Sequence, residues 1–200
     1  NILRGFEFDT ADEFRAAIGR AYDRGYADAD ELQKFIGNID ELEEFQNRGL
    51  LDGPVDDAIG AGSDAGNFRG AMREVEVATD IGAENIRRLS LALSDSSPYN
   101  GEIDILRSNG EVVEVKSTFG SDPRSTFSEI EKKLRTMREL ENVEFDGNTL
   151  TIRAEDINNV DDIQEKVDYW EETVAESGRW NRAEVDIRVV DDSTGEVVAD

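Results

Sequence analysis

The sequence predicts an α/β protein: a mixed central sheet flanked by helices, behind a small helical module. Three observations predict it. Apolar residues recur at helical spacing between positions 10 and 48. From residue 67 onward helical and extended periodicities alternate, in the order helix, three strands, helix, strand. Between the two lies Gly60-Ala61-Gly62-Ser63-Asp64-Ala65-Gly66, a joint of small and polar residues. It sets a boundary between a helical module, residues 1–66, and a domain of residues 67–200.

Thr10 opens the first helix, with Glu13 three residues on as a capping box. Phe14, Ala17, Ile18 and Tyr22 share one face. Helical segments follow over 30–37 and 39–48, striped by Leu32, Phe35, Ile36, Leu42 and Phe45, and Gly49, Gly53 and Pro54 break the pattern. Residues 67–83 form the next helix, with Phe68, Met72, Val75 and Val77 apolar and Glu74 and Glu76 between them; Gly82 ends it. A strand over 85–93 and a loop over 94–100 lead to two strands joined by a tight turn, residues 101–117. After a loop over 118–125, residues 126–140 form a helix with Phe127, Ile130, Leu134 and Met137 buried and Lys132, Lys133, Arg135 and Arg138 largely on its other faces. Residues 143–145 and 150–153 are extended, either side of Asp146-Gly147-Asn148. An amphipathic helix over 161–177 and a hairpin of 184–190 with 196–198 close the chain.

The chemistry is concentrated in residues 101–117. Ser108-Asn109-Gly110 fits a three-residue hairpin loop with glycine in the left-handed position. That loop pairs Arg107 with Glu111, Asp104 with Glu114 and Glu102 with Lys116. Ile103, Ile105, Val113 and Val115 then share the opposite face. A two-residue Asn-Gly loop would slip the register by one and set Asp104 against Val115, mixing polar with apolar. The favoured register places two carboxylates and a lysine on one face, with opposed β-carbons ~5 Å apart. Two carboxylates that close are stabilised by a cation, and a hard divalent ion accepts them. The plain alternative is a solvated polar face with a Glu102–Lys116 ion pair, whose loss would cost at most ~1 kcal/mol.

Asp104, a turn, then Glu114-Val115-Lys116 resembles the signature of the PD-(D/E)xK nuclease superfamily, and Gly101-Glu102-Ile103-Asp104-Ile105-Leu106 resembles its form in archaeal junction resolvases. The resemblance covers about residues 67–153. It implies the restriction-endonuclease-like fold with an αβββαβ core. It implies a Mg²⁺- or Mn²⁺-dependent endonuclease hydrolysing phosphodiester bonds, with DNA favoured as substrate over RNA. Asp104, Glu114 and the backbone carbonyl of Val115 would hold the metal, joined by Glu74 from the first core helix. Glu76 competes for that place, but the two lie ~200° apart on a helix, so one alone can face the sheet. Lys116 would orient a water or stabilise the transition state. Ser117, Thr118, Lys132 and Lys133 are the candidate substrate contacts. The proline that many members place before the aspartate is Ile103 here. The rival reading is a non-catalytic interaction domain that keeps the fold.

A nuclease domain behind a helical module, in a chain that starts at Asn1, also resembles the toxin domains of contact-dependent and polymorphic toxin systems. That resemblance implies delivery within a larger secreted or surface protein, action in the cytoplasm, and an immunity protein as partner.

Composition narrows the field further. No cysteine and no histidine are present, which excludes disulfides, thiolate sites and every catalytic triad that uses histidine. Carboxylate, metal and lysine chemistry remains. No apolar run reaches ~18 residues, so no membrane partner is expected. Asp and Glu number 47 against 22 Lys and Arg, a formal charge of −25. Acid spread along the chain resembles proteins of salt-in halophiles, where molar salt shortens the Debye length to ~3 Å. Residues 67–140 hold 11 basic and 13 acidic side chains, so the segment carrying the motif is nearly relieved of excess negative charge.

Overall fold

The computed structural model describes residues 8–42, 52–61, 64–92, 102–119, 149–157, 163–176 and 186–200. It is a mixed α/β chain of two compact units, residues 1–90 and 91–200.

The first unit is built on α1 (Phe8–Asp23), α2 (Ala29–Glu41), α3 (Asp52–Gly60) and α4 (Ala65–Ile81), followed by a 3₁₀ turn, Ala83–Asn85, and the start of strand β1 (Ile86–Ala92). Helix α3 packs on α4 and α1, and α2 packs on α4. Three phenylalanines join them: Phe14 meets Phe35 edge-to-face at 5.7 Å between centroids, and Phe35 meets Phe68 at 6.1 Å. Edge-to-face contacts of this kind place the positive ring edge on the negative face of the neighbour. Helix α1 begins at Phe8, so Thr10 lies within its first turn rather than capping it. The reciprocal capping box stands one helix later. The Asp28 carboxylate accepts the N–H of Asp30 and Glu31, and Glu31 Oε2 accepts the Asp28 N–H at 2.7 Å. Tyr22, placed on the apolar face by spacing, is exposed, and Ala21 is buried instead.

Compactness divides the chain between Ser90 and Leu91, inside β1, rather than at the 60–66 joint. The reason is local. Asp64 caps α4 through the N–H groups of Gly66 and Asn67, the buried Phe68 of that helix meets Phe35 of α2, and α2 and α3 both pack on α4.

The sheet has six strands in the order β1-β2-β3-β4-β5-β6, with β2 (Glu102–Arg107), β3 (Val112–Phe119), β4 (Thr149–Ile157), β5 (Asp186–Asp191) and β6 (Glu196–Ala199) in the second unit. β2 and β3 are antiparallel, β3, β4 and β5 run parallel, and β6 returns antiparallel. The parallel β4–β5 connection carries α5 (Ile163–Glu176), which buries Ile163 and Val167. The Gln164 side-chain amide donates to the Asp200 carbonyl and accepts the Asp200 N–H, fixing the end of β6 to α5. The core is aliphatic: Ile103, Ile105, Leu106, Val112, Val113, Leu150, Ile152, Ile187 and Val189 are all buried. A parallel sheet buried on both faces needs such continuous apolar runs. The predicted helix over 126–140 and the extended residues 143–145 lie outside the described residues. Among the described residues no helix is long and apolar enough to cross a membrane.

Candidate active site on the β2–β3 hairpin

The hairpin register decides whether the carboxylates meet. Ile105 pairs with Val113 and Leu106 with Val112. The Arg107 N–H donates to the Glu111 carbonyl at 2.9 Å, and Gly110 sits at φ 90°. The loop is therefore the three-residue one, and continuing the register sets Asp104 opposite Glu114. The next ladder bond is diverted: the Val115 N–H donates to Asp104 Oδ2 at 2.7 Å. A charge-assisted bond of that length fixes the Asp104 carboxylate against β3.

The face they share is less watery than strand alternation suggests. Alternation puts Leu106 and Val112 on it, both buried, and the β4 partner of Glu114 is the buried Ile152. Glu114 itself is completely buried. Lys116, half-buried, brings its Nζ to 3.5 Å from Glu114 Oε2. The plain alternative read from the sequence is an ion pair of Glu102 with Lys116 across the strands. The lysine instead turns along its own strand, because a carboxylate buried among aliphatic side chains draws the nearest cation more strongly than one in water.

The parallel strands bring a further group that the sequence reading did not single out. Lys116 pairs in register with Ala154, and Ala154 with Asp191. The three form one row in the carboxyl-terminal halves of β3, β4 and β5, toward the side where open parallel sheets bind ligands. Lys116 and Asp191 stand two strand spacings apart, about 10 Å, across a methyl group. The Asp191 carboxylate accepts the Ser193 hydroxyl at 2.6 Å and the Ser193 N–H at 2.8 Å. The Ser193 hydroxyl above all holds it below the usual carboxylate range, against a smaller opposing effect of desolvation. Parallel crossovers around the two predicted helices were the available signal for this row.

Glu74 is in the first unit. Of the two candidates on α4 it is the buried one. Its Oε1 accepts both the Ser90 N–H at 3.0 Å and the Ser90 hydroxyl at 2.7 Å. Ser90 lies at φ 45°, a left-handed conformation uncommon for a residue with a β-carbon. Glu76 points elsewhere, paired with Lys34 and, at 2.6 Å, with Arg73. Burial pushes the Glu76 carboxyl up, but hydrogen bonds and charge from Lys34 and Arg73 outweigh it and hold the group below its usual range.

Among the described residues no three Asp, Glu, His or Cys groups converge to hold a metal ion. The second unit thus offers the Asp104–Glu114 pair with the Val115 carbonyl. Mg²⁺, which keeps several waters and takes one or two carboxylates, fits such a set by donor chemistry. Ser117 and Thr118 lie on β3, with Thr118 in register with Asp156; their side chains, and Lys132 and Lys133 entirely, lie outside the described residues. Comparison with known proteins finds no matching family model, no matching curated protein and no matching solved structure.

Proposed function

We propose that the chain is a metal-dependent nuclease of the PD-(D/E)xK type, with a restriction-endonuclease-like core and DNA as the favoured substrate. One observation carries the reading: the three-residue loop sets Asp104 opposite Glu114 with Lys116 next on the same face. A Mg²⁺ or Mn²⁺ ion on these donors would supply charge neutralisation at a phosphate and a more acidic water. The residues do the rest. Asp104, oriented by the Val115 N–H, and the buried Glu114 present oxygens to the ion. The Lys116 ammonium stabilises negative charge as it builds on the phosphorus oxygens, a role worth on the order of 100-fold in rate. Glu74, which the resemblance adds as a further carboxylate, belongs to the first unit, where it accepts from Ser90. Delivery as the toxin domain of a larger secreted or surface protein, with cytoplasmic action and an immunity protein as partner, rests on domain layout alone. The rival, a non-catalytic interaction domain on the same fold, draws on the two-carboxylate count among the described residues.

The test is incubation of the full chain with duplex DNA, single-stranded DNA, RNA and tRNA in molar KCl, with Mg²⁺, Mn²⁺ or EDTA. Cleavage that needs the divalent ion is the expected result. No cleavage of any substrate together with no Mn²⁺ uptake would favour the rival.

A further inference from the structure

The Lys116–Glu114 contact has the wrong partner for a lysine that waits on substrate. The Glu114 side chain is 1% exposed, and Leu106, Val112 and Ile152 line its face. A carboxylate there needs positive charge at all times, before any metal or phosphate arrives. Lys116 can provide it, because side chains two apart on a strand point the same way. Its 3.5 Å approach is longer than a well-formed ammonium–carboxylate bond, and the lysine keeps 28% of its side chain in solvent. It is therefore a partner that can leave.

We propose that Lys116 is a built-in counter-ion that occupies the cation position at Glu114 until a divalent ion enters, so that metal entry and release of the ammonium are one coupled step. The proposal rests on the metal-site part of the function proposed above. Two like charges cannot share one buried carboxylate closely. With a divalent ion held at Glu114 the ammonium would swing outward, toward the carboxyl end of β3, into the solvent that already reaches 28% of its side chain. The lysine then reaches a phosphate only in the metal-loaded protein. Without metal, the same contact keeps the hairpin intact.

Lys116→Met, which keeps the stem and removes the charge, tests this on the full chain. In EDTA its melting midpoint should fall by about 5 °C or more relative to the parent, since the buried Glu114 charge loses the ammonium beside it. Mn²⁺ should recover that loss. Calorimetric titration should show Mn²⁺ binding about tenfold tighter than in the parent, because no ammonium competes. In a Glu114→Gln background the same lysine change should leave the midpoint unmoved. An unchanged midpoint in EDTA, or Mn²⁺ affinity equal to or weaker than the parent's, overturns the proposal. Should Lys116→Met not fold, acylation of the parent's lysines read by mass spectrometry decides instead. Mg²⁺ should speed modification of Lys116 severalfold and leave the exposed Lys34 unaffected; equal rates with and without Mg²⁺ overturn it. A parent that binds Mn²⁺ with these signatures but cleaves nothing sinks the nuclease reading alone. A cleaving parent with an indifferent Lys116 sinks the counter-ion alone, and a parent that takes up no Mn²⁺ ends both.

Discussion

Glu114 sits where only a compensated charge is stable, buried between Val112 and Ile152 with Lys116 alongside. Lys116→Ala should therefore cost about 1–3 kcal/mol in urea denaturation without metal, more than the loss of a solvent-exposed pair and less than a fully buried one because the lysine is part-exposed. A loss below ~0.5 kcal/mol would mean that the contact contributes no more than an exposed pair. At the other unit's buried carboxylate, Glu74→Ala leaves the Ser90 N–H and hydroxyl without that acceptor and should cost about 1–3 kcal/mol. Adding Ser90→Gly should return part of it, since glycine adopts φ 45° freely; thermal melts of the single and double variants would show whether it does. The choice between Glu74 and Glu76 was legible in sequence only as an exclusion, since two residues 200° apart cannot both face inward. Which one turns in is settled by Lys34 and Arg73 on the outer side, and Lys34 is forty-two positions away in sequence. No local pattern carries that pairing.

At the scale of elements, the hairpin was the most legible part of the chain. Ser108-Asn109-Gly110 and the strict alternation on either side specify a register, and Gly110 occupies the left-handed position that the loop requires. Gly110→Ala should destabilise the second unit by about 1–2 kcal/mol while leaving the Asp104–Glu114 register in place, measured by denaturation and by whether Mn²⁺ uptake survives. The burial of Glu114 was not legible, because it depends on β4, which reaches β3 only through a long connection. Between α2 and α4, the Glu76 carboxyl is held low in the fold. A group whose folded value lies below its unfolded one adds stability above the unfolded value and loses it as pH falls through the folded one. Acid unfolding of the parent should accordingly steepen below the ordinary glutamate range, and Glu76→Gln should flatten that part of the profile. Identical acid profiles for the two proteins would rule out this role for Glu76.

On the scale of the chain, the helix from residue 67 and the described strands after it follow from periodicity. The alignment of strand ends does not. Asp191 reads in sequence as a turn residue, and only two parallel crossovers place it in the row of Lys116 and Ala154. The −25 charge acts everywhere at once. Raising KCl from about 0.1 to about 1 M shortens the Debye length from ~10 to ~3 Å and should raise the melting temperature, since self-repulsion outweighs exposed pairs such as Arg15–Asp12. A melting temperature that falls over that range would contradict this balance.

The central claim, that Asp104, Glu114 and Lys116 form a metal-dependent hydrolytic site, is tested most directly by DNA cleavage with Mn²⁺ in molar salt, run side by side on the parent and three variants. Lys116→Ala should keep Mn²⁺ binding and lose cleavage by on the order of 100-fold. Asp104→Ala and Glu114→Ala should lose both. Cleavage at the parent's rate by Lys116→Ala, with metal retained by both carboxylate variants, would contradict the account.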